Sequence, residues 1–178
     1  MPRIVPGITT LEQHIELLHT NPERYRPPCC PTCGLRDLCP HGSYERKADR
    51  GGGGGDSLNP VAIPRFYCAG CGSTCSRLPE CVAPRRWYGW ERQQAVIEAG
   101  LADATVRSAS EAVAVSRHTV RRWWRWFCAR AESFMFHLRS RFADLGRGGD
   151  VRGCWRRCLE QMALSRAMAW LDLGLDVP

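Results

Sequence analysis

Cys30-Pro31-Thr32-Cys33-Gly34 and its echo Cys68-Ala69-Gly70-Cys71-Gly72 decide how this chain is read. Each is a Cys-x-x-Cys knuckle followed by glycine. Two such knuckles supply four thiolates to one tetrahedral Zn²⁺. The glycine lets the chain turn tightly beneath the metal, so that the backbone approaches the sulfurs. A strand-like stretch, Val61–Tyr67, delivers Cys68, and a second near Gly42–Lys47 lies between the knuckles. The pattern predicts a small β zinc ribbon over residues 29–82 with Cys30, Cys33, Cys68 and Cys71 as ligands. Cys29 neighbours Cys30, but Cys30 has the better knuckle geometry. Cys39, His41, Cys75 and Cys81 lie near in sequence and form no second knuckle; spacing leaves open whether any joins the site. A four-thiolate site is closed, with no position for a reactive water, and no HExxH pattern is present. The expected metal is one structural Zn²⁺, and the expected protein is not an enzyme.

Outward from the ribbon, composition narrows the reading. The chain has 178 residues, 11 cysteines and a net charge of +7. An odd cysteine count, knuckle spacing and an N-terminus without an apolar signal core favour thiolates on metal in a reducing, cytoplasmic setting. No apolar run is long enough to span a bilayer. The positive charge favours a polyanionic partner. Lys47 is the only lysine; genome composition accounts for most of that bias, so the placement of the arginines is the more informative fact.

Residues 1–28 read as a lead-in, with Thr10 and Gln13 forming a capping box on a short helix whose apolar face is Leu11, Ile15 and Leu18. His14 and His19 point to different faces and make a poor metal pair. The run Gly51–Gly55 between the strands reads as a loop. Residues 83–91 alternate basic and aromatic side chains; Arg85 and Arg86 suit phosphate contact, Trp87 and Trp90 a buried seam. Residues 92–145 are expected to be helical: Gln93–Leu101 stopping near Gly100, Ser108–Ala114, a turn at Val115-Ser116, then a third helix from Arg117. Val120, Trp124, Phe127, Ala131, Phe134, Leu138, Phe142 and Leu145 recur in steps of three and four, which predicts one long third helix ending at Gly146. Residues 146–178 predict helices around Val151–Met162 and Ser165–Leu173, capped by Asp150 and Ser165. Cys154 and Cys158, one turn apart, suit core packing, as does Cys128. The fold class is therefore α+β, mostly α: a small ribbon, a helix-turn-helix bundle and C-terminal helices.

The helix-turn-helix carries the second chemical signal. Ala112 and Val113 suit its second helix, Val115 its turn and Ser116 the N-cap of its third. On that third helix Val120, Trp123, Trp124 and Phe127 share one side, while His118, Arg121, Arg122 and Arg125 fall opposite. No acidic residue interrupts this cationic face. Arginine bonds guanine O6 and N7 bidentately and also pairs phosphate. Arg117 and Thr119 stand at the helix N-terminus, where bases or backbone come within reach. Double-stranded DNA is the expected partner.

Cys30-Pro-x-Cys33-Gly, His41-Gly42-Ser43-Tyr44-x-Arg46 and Arg65-Phe-Tyr-Cys68-x-x-Cys71-Gly-x-Thr74, followed by Val115-Ser116-Arg-His-Thr119-Val120-Arg-Arg-Trp123, together resemble the zinc-ribbon and helix-turn-helix region of bacterial insertion-sequence transposases and their accessory regulators. The resemblance covers roughly residues 29–127. It implies recognition of transposon-end or operator DNA, with Cys30, Cys33, Cys68 and Cys71 on the metal and Arg117 to Arg125 on the reading helix. Cys75 departs from it, standing where such ribbons often carry an aromatic. The acids after residue 127 (Glu132, Asp144, Asp150, Glu160) fit no three-carboxylate nuclease, so a DNA-binding accessory protein is expected. Two other readings use the same features: an adaptor docking a transposase or polymerase subunit, and a transposase fragment without its catalytic domain. Dimerisation on a palindromic site, through the third or C-terminal helices, is a common companion of the motif.

Overall fold

The computed structural model describes residues 3–48, 58–84, 88–145 and 149–175. Gly51–Gly55, Arg85, Arg86, Trp87 and Gly146 lie outside them. The fold is α+β and mostly helical, in two compact units: residues 1–89 with 168–178, and residues 90–167.

The first unit opens with β1 (Ile4–Val5), followed by α1 (Leu11–Thr20). The capping box on α1 is present: Gln13 N donates to Thr10 Oγ1 at 3.2 Å, and Thr10 N donates to Gln13 Oε1 at 3.3 Å. A 3-10 turn (Pro22–Tyr25) leads to the long antiparallel pair β2 (Leu38–Arg46) and β3 (Val61–Cys68). The register steps between Pro40 and Ser43, where Gly42 adopts φ +69°. Two residues there oppose one on β3, which is a β-bulge and explains why alternation along β2 is poorly legible. β4 (Thr74–Cys75) folds back on β3, and β5 (Leu78–Pro79) pairs parallel with β1.

The lead-in is part of this unit's core. Val5, Ile8 and Tyr25 pack with Cys30, Leu38, Phe66 and Cys68 in one buried cluster. His14 is fully buried, its Nδ1 2.5 Å from the Tyr25 hydroxyl and its Nε2 2.9 Å from Ala62 O. Burial holds its pKa down, against the Ala62 carbonyl. A neutral ring donating from Nε2 and accepting at Nδ1 satisfies both contacts.

The second unit contains α2 (Trp90–Leu101), α3 (Val106–Val113), α4 (Arg117–Cys128), α5 (Ala131–Arg141) and α6 (Val151–Gln161); the unit boundary falls inside α7 (Leu164–Leu171). The predicted long third helix is two helices. Ala129 N bonds both Arg125 O and Phe127 O, Arg130 N bonds Phe127 O at 3.0 Å, and the chain re-enters helix at Ala131. A side chain from far along the sequence packs at this break. Trp155 on α6 stacks edge-on against Phe127 with centroids 4.9 Å apart, and its Nε1 donates to Ala131 O at 2.9 Å, so one side chain occupies the junction. The apolar steps survive because Phe127, Ala131, Phe134 and Leu138 are buried on either side of the break.

Other expectations are met in one case and shift in others. α2 ends at Leu101, as expected, with Gly100 in its last turn, where a Cβ would stand 2.4 Å from the Trp124 ring; the missing side chain lets α2 and α4 pass closely. Asp150 caps α6 through Gly153 N at 3.1 Å. Ser165 is not a cap: α7 starts one residue earlier, and Leu164 N is held by Gln94 Oε1 at 2.8 Å. Cys154 and Cys158 are buried, whereas Cys128 is exposed because α4 turns that face outward.

Candidate metal centre and helix-turn-helix

The two knuckles fold alike because they repeat one hydrogen-bond scheme. Gly34 N donates to Cys30 O and Gly72 N to Cys68 O, each at 2.9 Å; Cys30 N donates to Leu35 O at 2.7 Å and Cys68 N to Ser73 O at 2.9 Å. Gly34 and Gly72 hold φ of +77° and +70°, the left-handed region where a Cβ is disfavoured. The scheme aims both cysteines of each knuckle inward.

The sulfurs of Cys30, Cys33, Cys68 and Cys71 all lie within 4.8 Å of one another, and they are the one group of three or more metal-ligating side chains among the described residues. Cys30 Sγ stands 3.6 Å from Cys71 Sγ, and Cys33 Sγ 3.5 Å from Cys68 Sγ. Sulfurs about 2.3 Å from a tetrahedral ion sit about 3.8 Å apart, so this spacing suits a shared cation. All four are free thiols, two buried and two exposed. Ser73 Oγ lies 2.9 Å from Cys71 Sγ and 3.5 Å from Cys30 Sγ, bridging the knuckles.

Electrostatics point the same way. The Cys33 N–H and the Ser73 hydroxyl hold the Cys30 thiol down at about 5. At Cys33 the Leu35 N–H pulls downward, but Cys68, burial, Cys71 and Cys30 together push the thiol up to about 12. Like charges this close repel, so a full set of thiolates is favoured by a cation between them. Cys75 packs beside the core with its Sγ 3.6 Å from Phe66 O; burial and the nearby sulfurs push its thiol pKa up. Cys29, Cys39, His41 and Cys81 lie outside the sulfur cluster.

In the second unit α3 and α4 form a helix-turn-helix. Thr105 caps α3 through Ser108 N at 3.1 Å, and Ser116 caps α4 through Thr119 N at 3.2 Å. Ala114 takes the left-handed conformation at φ 53°, and buried Val115 anchors the turn. Ser110 staples that turn from both sides: its carbonyl accepts from Val115 N at 3.3 Å and its hydroxyl donates to Val115 O at 2.6 Å. The small residue packed in the motif is Ala109, 4% exposed, and not Ala112, which faces outward.

Val120, Trp123 and Phe127 bury one face of α4, and Trp124 is half-buried. Arg117, His118, Arg121, Arg122 and Arg125 are exposed, and among the described residues none of these side chains bonds to protein. Thr119 differs from the sequence reading. It is half-buried, its Oγ1 3.0 Å from Ser116 Oγ, so its hydroxyl serves the cap. Other arginines of this unit are engaged: Arg107 with Glu111, Arg152 with Asp103 and Gly100 O, Arg156 with Leu101 O, and Arg139 and Arg157 with Cys154 Sγ. Sequence reasoning missed this division because it depends on tertiary neighbours. Among the described residues, no helix is long and apolar enough to cross a membrane.

Over residues 30–123 the sequence matches a family described as a domain of unknown function (DUF6431). No curated protein and no solved structure matches the chain.

Proposed function

The chain belongs to the DUF6431 family, whose matched segment runs from the first clustered cysteine into α4, and from that premise we propose that it is a DNA-binding protein with one structural Zn²⁺. The observation that carries this reading is the face of α4. Four arginines and a histidine stand exposed, without a protein partner among the described residues, on the second helix of a helix-turn-helix, with no acid on the same helix. Like charges gathered on one exposed face repel, and a polyanion relieves that repulsion beyond what screening by salt does. A phosphate backbone does so, and the second helix of this motif lies in the major groove. Four clustered thiols suit Zn²⁺ as a closed tetrahedral ligand set, which supports an architectural role for the metal. The resemblance to insertion-sequence proteins supports transposon-end or operator DNA as the target.

Titration of a labelled duplex at increasing salt tests this. Affinity should fall steeply, as log K against log[salt], because arginine–phosphate contacts release counterions. No duplex binding at low salt would overturn the reading. An adaptor role draws support from Phe136 on α5, which is 72% exposed; salt-independent capture of a protein partner without DNA binding would favour it instead.

A further inference from the structure

We infer that the α4 surface is specific for guanine-rich duplex, reading runs of G·C pairs in the major groove; the inference rests on the DNA-binding reading above. The argument is one of hydrogen-bond polarity. Arg117, Arg121, Arg122 and Arg125 carry donors only, and His118 alone of the five exposed side chains can accept, through one ring nitrogen when neutral. The major-groove edge of guanine offers two acceptors, O6 and N7, to one guanidinium. Adenine offers one acceptor and one donor, which calls for Asn or Gln, and cytosine N4 offers a donor, which calls for Asp or Glu. The exposed face of α4 contains none of those four residue types.

Readout of the thymine methyl needs an apolar or threonine methyl contact. Val120, Trp123 and Phe127 face the core, Thr119 gives its hydroxyl to the cap, and Trp124 and Trp126 are half-buried. Thymine-methyl readout would rest on these partly covered groups, against four exposed arginines. The arginines are also available. Among the described residues none is held by a carboxylate or carbonyl, unlike Arg107 and Arg152 of the same unit. Arg117, Arg121 and Arg125 follow one another at four-residue steps. At 1.5 Å per residue they cover about 12 Å of helix, comparable to roughly three or four base steps at 3.4 Å each. The surface therefore fits a short guanine run on one strand, with the remaining arginine contacting the flanking phosphates.

The test compares equal-length duplexes binding to the full, zinc-loaded chain, read by fluorescence anisotropy at fixed salt. One has a GGGG core, one an AAAA core, and one a GGGG core built from 7-deazaguanine, which lacks the N7 acceptor but keeps Watson–Crick pairing. The guanine core should bind roughly tenfold or more tighter than the adenine core, and 7-deazaguanine should remove most of that gain. Equal affinity for all three, with steep salt dependence, would overturn the guanine inference and leave DNA binding standing. A preference for the guanine core that survives 7-deazaguanine would also overturn it, since groove shape would then carry the selection. No binding of any duplex at low salt would overturn the DNA-binding reading itself.

Discussion

Cys30 and Cys68 are buried, while their knuckle partners Cys33 and Cys71 are exposed. In the proposed Zn²⁺ site each of the four is needed, because removing one thiolate would open the tetrahedron. Changing Cys30 or Cys68 to Ser should lower bound zinc from about one per chain to far below it, with loss of the first unit's thermal transition. Cys75→Ser should keep the metal, since Cys75 stands outside the cluster. Metal analysis of the purified variants separates these outcomes. Protons compete for the same sulfurs, so metal release should rise as pH falls, followed with a chromophoric chelator. On α4, Arg121→Ala with Arg122→Ala removes two exposed cations. Folding should be unchanged by circular dichroism, and the salt slope of DNA binding should shrink by about one per lost phosphate contact. The knuckle residues were legible in the sequence because metal geometry is written in short spacing. His14 was not: its partners Tyr25 and Ala62 are 11 and 48 residues away.

The elements show where local rules suffice. The caps at Thr10, Ser116 and Asp150 were readable because a cap needs only its own first turn. The left-handed Ala114 is a local cost carried inside the turn. Ala114→Gly should stabilise the helix-turn-helix by about 1 kcal/mol, seen as a higher Tm in thermal melts. Gly100 runs the other way. Helix propensity alone would favour alanine there, but its Cβ would meet the Trp124 ring at 2.4 Å. Gly100→Ala should destabilise by about 1–3 kcal/mol, measured by denaturant unfolding. The break between α4 and α5 belongs to the same class, because the apolar period runs through it and only Trp155 marks it.

At the scale of the molecule, the first unit is closed by its chain ends. Asp172 is 4% exposed and accepts from Ile4 N at 2.7 Å and from Arg3 N, 168 and 169 residues away. Burial raises its pKa, opposed by the Ile4 and Arg3 N–H groups and by the Arg3 and Arg77 charges. The folded carboxyl therefore holds its proton more tightly than the unfolded one. As pH rises from the ordinary aspartate value towards the raised folded value, the unfolded chain ionises first and stability falls. Asp172→Asn should flatten that window and hold or raise stability at neutral pH. Asp172→Ala leaves the Arg3 and Ile4 N–H groups without this acceptor and should cost about 1–3 kcal/mol. Unfolding titrations across acidic pH distinguish the two variants.

The sequence by itself determined the four-cysteine cluster, the caps at Thr10, Ser116 and Asp150, the helix-turn-helix and the cationic face of α4. Each depends on residues close enough in the chain for spacing, periodicity or capping to dictate their arrangement. Only the tertiary structure decided that the lead-in shares a core with the ribbon. It alone decided that Gly100 is a packing site, that the expected long helix breaks between Cys128 and Ala131, and that, among the described residues, the α4 arginines stand without the partners their neighbours have. These depend on which distant side chains compete for the same space or the same acceptor. Local propensity carries no record of that competition.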